Sequence, residues 1–207
     1  MITIRRAELV ESLAIGSAQA RAFYDDPLQA WAVPDASRRL ELLQAMFELI
    51  TRVISIPLGE SYVDVGLGTA AFWVPPGRWG EPVAPEARDA LRVLDGQLSS
   101  EITHRFAVAN EVMHAAHPTE PHWYLQGLGT DPGVQRTGLG SAVLQPVLQR
   151  ADATGVPCYL ESTKATNVAF YERHGFSVLS TLDIAEEGPT LWAMWREPRV
   201  TQRESLG

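Results

Sequence analysis

The sequence predicts a mixed sheet with helices on its faces, of the α+β or α/β class. Three observations carry this reading. Two short runs of strand composition, Tyr62–Val65 and Thr69–Val74, stand together in the front half. Leu40, Leu43, Phe47, Ile50 and Ile54 step by three and four, which puts one apolar stripe on a helix. From Trp123 onward the pattern runs strand, helix, strand, helix, strand, strand, the order of a sheet whose crossovers are helical.

Taken from the N-terminus, Met1–Arg5 forms a short strand and Ala7–Tyr24 a helix that stops before Asp25-Asp26-Pro27. Asp35 is placed to cap the second helix, whose first turn leaves N–H groups for a side-chain oxygen to accept. Pro57 ends it, because proline lacks the N–H that continuation needs. The two front strands meet at Gly66 and Gly68, and Pro75-Pro76-Gly77 closes the second. Residues 85–113 read as helix, broken near Gly96 or Ser99-Ser100. Trp123–Thr130 is a strand, Asp131-Pro132-Gly133 a turn and Gln135–Ala153 a helix containing Pro146, which should bend it. Val156–Glu161 is a short apolar strand, and Asn167–His174 a helix that Gly175 ends in a left-handed conformation. Phe176–Asp183 and Thr190–Arg196 are the last strands, and the polar residues from Pro198 on form a frayed tail.

Composition limits what such a chain can do. At 207 residues it fits a single domain with a full core, spanning 1–207 with a flexible tail at 199–207. Its 17 basic and 25 acidic side chains give a net charge of −8, a poor match for nucleic acid and a mild attraction for cationic or amine substrates. The lone Cys158 can build neither a disulfide framework nor a cysteine-rich metal centre, and in the run Val156–Leu160 it reads as a buried structural thiol. No signal core and no run of ~20 apolar residues is present, so a cytoplasmic protein without membrane association is expected. A monomer and a homodimer fit equally well.

The most informative stretch is Leu128-Gly129-Thr130-Asp131-Pro132-Gly133-Val134-Gln135-Arg136-Thr137-Gly138-Leu139-Gly140-Ser141. A strand enters a tight turn and a glycine-bearing helix opens from it. Unpaired N–H groups and the positive end of the helix dipole favour an anion there, and glycine lets it approach the backbone. No Gly-Lys-Ser/Thr follows, so this is not a nucleotide P-loop, and the glycine spacing is not that of a dinucleotide turn. What remains is a pyrophosphate cradle, or a glycine-rich turn that binds nothing.

Gln135-x-x-Gly138-x-Gly140 after a strand resembles the acetyl-CoA signature of the GNAT acetyltransferase superfamily, and Asn167-Val168-Ala169-Phe170-Tyr171-Glu172-Arg173-His174-Gly175-Phe176 resembles its second landmark. Pro118-x-Glu120-Pro121-x-Trp123, Leu160-Glu161-Ser162 and Glu187-Gly188-Pro189 are similar to the puromycin N-acetyltransferase-like subgroup. Arg136-Thr137 departs from the Gly-Lys or Gly-Arg usual in the signature. The resemblance implies a mostly antiparallel central sheet splayed at the strand that binds acetyl-CoA. It implies a cofactor-binding half at 118–198 and helical acceptor-side elements within 1–117.

It also implies roles. Leu128, Gly129 and Thr130 would hold the pantetheine arm through backbone groups, Gln135, Arg136, Thr137, Gly138, Leu139, Gly140 and Ser141 the pyrophosphate, and Asn167 the arm again. Tyr171, on the same helix face as Asn167, is the candidate general acid, a phenol of ordinary pKa ~10 expected to deliver its proton downhill to a thiolate whose thiol lies near ~8.5. The alternative for Tyr171 is a core aromatic. Glu161, at the end of the splayed strand, is the candidate base, directly or through water, or else an exposed or capping carboxylate at a strand end. His122 stands in reserve as a base, while His114 and His117 decorate a helix end; with Glu120 they do not have the spacing of a metal site, and no metal is expected. Trp31, Phe72, Trp73 and Tyr124 are divided between an acceptor-pocket wall and the core, and Asp25 or Asp26 between pairing with an amine and a helix-terminal turn. The activity implied is acetyl transfer from acetyl-CoA to an amine of a small molecule, with a protein or peptide acceptor, or a non-catalytic acyl-CoA-binding module, as the alternatives.

Overall fold

A computed structural model describes residues 2–185 and 187–199. The expected strand residue Met1 and the tail beyond 199 lie outside the described residues. The strands are β1 (Ile4–Arg6), β2 (Ser61–Asp64), β3 (Thr69–Val74), β4 (Trp123–Thr130), β5 (Cys158–Ser162), β6 (Ser177–Asp183) and β7 (Thr190–Arg196). The helices are α1 (Ser12–Ala22), α2 (Pro27–Ala32), α3 (Ala36–Ile50), α4 (Pro85–Asp95), α5 (Ser100–Ala116), α6 (Leu139–Thr154) and α7 (Ala165–Arg173). The strands form one seven-stranded sheet in the order β1-β2-β3-β4-β5-β7-β6. Only β4 and β5 pair in parallel; every other neighbour is antiparallel. Among the described residues no helix is long and apolar enough to cross a membrane.

Strand alternation gives the sheet two apolar faces. Val63, Ala70 and Phe72 pack with Ile15 of α1 on one side. Tyr62, Ala71 and Trp73 pack with Val143, Leu144 and Val147 of α6 on the other. Helices therefore cover both faces, as expected. The α1 layer is held tightly to α3: a Cβ on Gly16 would lie 2.5 Å from the Glu48 backbone nitrogen, so no larger residue fits without separating the helices. At the β2–β3 hairpin the Asp64 carboxylate accepts from the N–H groups of Gly66 and Thr69, which fixes the turn.

Several expected boundaries move. The helix ending at Tyr24 stops at Ala22, and a separate helix, α2, follows where only a turn was expected. Asp26 caps it, accepting from Leu28 and Gln29 N–H at 3.0 and 3.4 Å. Asp35 caps α3 as expected, at 2.9 Å from Ser37 N–H, but Leu40 of the proposed stripe is 37% exposed while Leu43 is fully buried. Residues Thr51–Ser55 continue α3 as a wider π turn before Pro57 ends it. The helix expected from Gln135 opens at Leu139 instead, because Arg136 and Gly138 both hold positive φ, at 63° and 88°, and a right-handed helix cannot pass through them. Pro146 sits inside α6, which runs on to a left-handed cap at Gly155. Gly175 likewise follows α7 with φ of 91°.

Candidate functional site

The site is built where β4 and β5 part. Their parallel pairing covers only Trp123↔Cys158 and Tyr124↔Tyr159. Beyond it β4 runs on beside β3 alone, and the register with β3 shifts at Phe72/Trp73, leaving Gln126 as the extra residue of a bulge. The strands open like a V. A cavity of about 880 Å³ runs through the opening, lined by Leu128 of β4, Glu161 of β5 and Asn167 and Tyr171 of α7. Its far wall comes from α3, α4 and α5, where Met46, Phe47, Leu91, Leu94 and Phe106 stand beside the polar Asp95, Asn110, Glu111 and His114. Phe72 and Tyr124 belong to this wall; Trp73, 1% exposed, is core.

The free edge of β4 has a definite polarity. Asp131 N–H donates to Gly68 carbonyl on β3. Alternation along an antiparallel pair then turns the N–H and C=O of Thr130 and Leu128 the other way, into the V. The Thr130 carbonyl is taken by the Gln135 side-chain amide at 3.0 Å, so Gln135 closes the turn it begins. Among the described residues nothing pairs with the Leu128 N–H. Gly129 faces β3 and carries a different constraint: its carbonyl accepts from Gln19 of α1 at 3.2 Å, and a Cβ there would lie 2.3 Å from Gln19 Oε1. The sequence signal at Gly129 is therefore helix-on-strand packing.

At the end of β4 the loop presents an anion-binding cradle. The first bond of α6 is Ala142 N–H to Gly138 carbonyl at 3.0 Å. The N–H groups of Leu139, Gly140 and Ser141 precede it and have no acceptor among the described residues, and no side chain caps the helix. Gly138 turns the chain at a φ that side chains avoid. Thr137 spends its hydroxyl on the Val134 carbonyl at 2.7 Å, and Arg136 is exposed beside the helix start. The cradle lies past Thr130, and its residues are not among those that line the cavity. Free amides at α6, an unpaired N–H at Leu128 and a cavity beyond fit acetyl-CoA.

Tyr171 is 7% exposed, packed into the main core with its hydroxyl toward the cavity. Burial, with the nearby Asp26 carboxylate second, raises its pKa well above the usual value near 10. This overturns the expected driving force. A phenol at ~10 is already a weaker acid than a thiol at ~8.5, so complete transfer to a departing sulfur is uphill, and burial steepens the climb. What burial secures is a phenol that stays protonated through the physiological pH range. Asp26, 2% exposed, has its own pKa raised by burial and shares the cavity, but its oxygens are engaged by Leu28 and Gln29 N–H and by the Thr163 hydroxyl.

Glu161 is not the exposed carboxylate of the alternative reading. Its side chain is 3% exposed, it lines the cavity, and its buried Oε1 has no hydrogen-bond partner. The histidines also differ from expectation. His117 caps α5 but points inward, 3% exposed at the side chain, with Nδ1 3.9 Å from Glu161 Oε1. His122 does not line the cavity; its Nε2 meets His117 Nε2 at 3.0 Å and its Nδ1 meets the Glu120 carbonyl at 2.6 Å. Sequence spacing hid this, because His117 is brought to Glu161 by Trp79, which stacks on it at 4.1 Å from a different loop.

Burial holds the His122 imidazole below its usual value near 6.5. Its folded pKa is depressed, so as pH falls below 6.5 the unfolded chain takes up a proton that the folded chain resists. Stability should therefore decline between pH 6.5 and 5, by up to about 1.4 kcal/mol per unit of depression. Urea unfolding at pH 7.5, 6.5 and 5.5 measures it. In His122→Gln the decline should be shallower, and equal slopes in both chains would remove His122 as its source.

The model of the Acetyltransferase (GNAT) family matches residues 104–176, which take in the end of α5, β4, the cradle, β5 and α7. An uncharacterized N-acetyltransferase of Schizosaccharomyces pombe is 24% identical over 96% of this chain and 85% of its own length. Among solved structures, a Corynebacterium glutamicum protein described as histone acetyltransferase HPA2 and related acetyltransferase superposes with a TM-score of 0.70 at 24% identity, covering 97% of this chain and 98% of that one. The polyamine N-acetyltransferase of Drosophila melanogaster superposes with a TM-score of 0.54 at 15% identity, over 95% and 100%. The motif, the fold and the open strand pair agree with that partial match, and over residues 104–176 the chain is similar to the GNAT acetyltransferases.

Proposed function

We propose that this acetyltransferase moves the acetyl group of acetyl-CoA onto an amine of a small molecule. The observation that carries the reading is one cavity at the β4–β5 opening whose lining includes both Glu161 of β5 and Tyr171 of α7. Acetyl-CoA supplies the activated acyl carbon. The N–H groups of Leu139, Gly140 and Ser141 hold its diphosphate, with Arg136 adding charge; Leu128 N–H and the Asn167 side chain hold the arm. Glu161 takes the proton of the attacking amine, and Tyr171 donates to the departing sulfur. The wall from α3 to α5, with Glu111 among its apolar side chains, favours a small amine over an extended peptide. Among the fold neighbours, the Drosophila protein is a polyamine N-acetyltransferase. The resemblance of Pro118–Trp123 and Leu160–Ser162 to the puromycin-like subgroup puts aminonucleosides beside polyamines as the first acceptors to test.

Purified protein should bind acetyl-CoA in calorimetry and release free thiol with at least one member of a panel of polyamines, arylalkylamines and aminonucleosides. A histone-tail peptide included in the panel separates the two acceptor classes. Failure to bind acetyl-CoA overturns the cofactor assignment; binding with turnover on the peptide alone overturns the small-molecule acceptor.

A further inference from the structure

The group behind Glu161 has a proton arrangement that the geometry decides. A carbonyl oxygen only accepts, so the 2.6 Å contact between His122 Nδ1 and the Glu120 carbonyl requires the hydrogen on Nδ1. Neutral His122 then carries a lone pair on Nε2. His117 Nε2, 3.0 Å away, must donate to it. That places the lone pair of neutral His117 on Nδ1, the atom facing Glu161 Oε1 at 3.9 Å. Both atoms are buried without a hydrogen-bond partner. An imidazole lone pair and a carboxylate face each other across a gap that only a proton can make attractive.

We propose that His117 is the proton-holding partner of Glu161, accepting at Nδ1 the proton that Glu161 removes from the acceptor amine. The proposal rests on Glu161 acting as the base. In balance, an N–H bond of the amine breaks as an O–H bond forms on Glu161. That O–H bond then breaks as an N–H bond forms at His117 Nδ1, leaving an imidazolium beside a restored carboxylate. After product leaves, the proton returns by way of Glu161 to solvent in the open cavity. The 3.9 Å span from Glu161 to His117 must close by about 1 Å to reach hydrogen-bond length.

The surroundings hold the ring for this task. Trp79 stacks on His117 at 4.1 Å and 16°, while Tyr124 and Tyr159 meet it edge-on at 4.8 and 5.1 Å. The titratable groups facing it are thus Glu161 and Tyr159 from β5, Tyr124 from β4 and His122 ahead of β4, with His114 of α5 behind Trp79. A ring flip would aim both Nδ1 and Nε2 wrongly, and the aromatic clamp resists it. His117 does not line the cavity, so it is a positioning and relay residue and not one that touches substrate.

Nitrogen-15 NMR of the ligand-free protein reads the tautomer directly. At pH 8 His117 should be the Nε2–H form, and its Nδ1 resonance should move in Glu161→Gln, where an amide replaces the carboxylate. An Nδ1–H form overturns the proposal, as does an Nδ1 resonance unmoved in Glu161→Gln. In turnover, His117→Gln and His117→Phe should each lower kcat about tenfold, less than loss of a direct acid or base, with the KM for acetyl-CoA unchanged and the acid limb of the pH–rate profile displaced. Full activity in Glu161→Gln would sink the base assignment itself. A Glu161→Gln chain that is inactive beside a folded His117→Phe chain with an unaltered rate and pH profile would leave the base standing and reject the relay alone. The NMR measurement decides the matter on the unaltered protein if both His117 variants fail to fold.

Discussion

Tyr171→Phe should lower kcat by about 10²–10⁴-fold while leaving acetyl-CoA affinity within about twofold. The reason is the position of the hydroxyl. The Tyr171 ring belongs to the main core, packed with Phe176 at 5.9 Å and Phe170 at 5.2 Å, and phenylalanine fills the same space. Only the oxygen is lost, and it faces the cavity with no partner among the described residues. Removing it creates neither a void nor an unsatisfied buried atom, so folding stability should hold. Charge on the departing sulfur is absent in the bound thioester and grows during reaction, so the lost donor acts on the barrier and not on ground-state binding. Single-turnover kinetics with saturating acetyl-CoA separates the two. A drop in affinity with kcat preserved would make Tyr171 a binding residue and remove it from the chemistry. Because its pKa is raised by burial, loss of activity at high pH should not come from ionisation of Tyr171.

Much of this arrangement was legible because it rests on local rules. β3, β4 and β7 begin and end where composition and turn residues put them, since each strand fills both faces of a covered sheet. The cradle was legible because Gly138 must turn at positive φ for α6 to open. What escaped depends on partners far along the chain. The six residues of α2 begin at a proline with no apolar period to announce them; the helix is fixed by Asp26, which also accepts from Thr163, 137 positions away. The helix start at Leu139 was misplaced because Gln135–Thr137 have ordinary helical propensity, and only the backbone at Arg136 excludes them. The pairing of His117 with Glu161 had no sequence signal, because a histidine at a helix C-terminus normally faces water. Trp79 and the sheet edge turn it inward. The driving force expected at Tyr171 fails on reference values alone, since a phenol is a weaker acid than a thiol, and burial widens the gap.

Glu161→Gln should lower kcat and kcat/KM for the amine together, by about 10²–10⁴-fold. Two carboxylates in the cavity could serve as the base, and the difference between them is in their oxygens. Both Asp26 oxygens are committed, one to the cap of α2 and the other to the Thr163 hydroxyl, and an incoming proton would break contacts that hold the fold. Glu161 caps no helix, lines the cavity, and stands on a strand fixed by pairing with β7. Glutamine keeps the volume and can donate its amide to His117 Nδ1, so the cavity wall should stay in place and acetyl-CoA should bind as before. A carboxylate that merely attracted an ammonium ion would give a different result: KM for the amine would rise and kcat would stay, because that attraction is the same before and during reaction. Asp26→Asn should instead lower stability by about 1 kcal/mol through the weakened cap, with turnover per folded molecule largely kept. If the activity follows Asp26 and not Glu161, the proton leaves the amine by the other wall of the cavity and the base assignment is wrong.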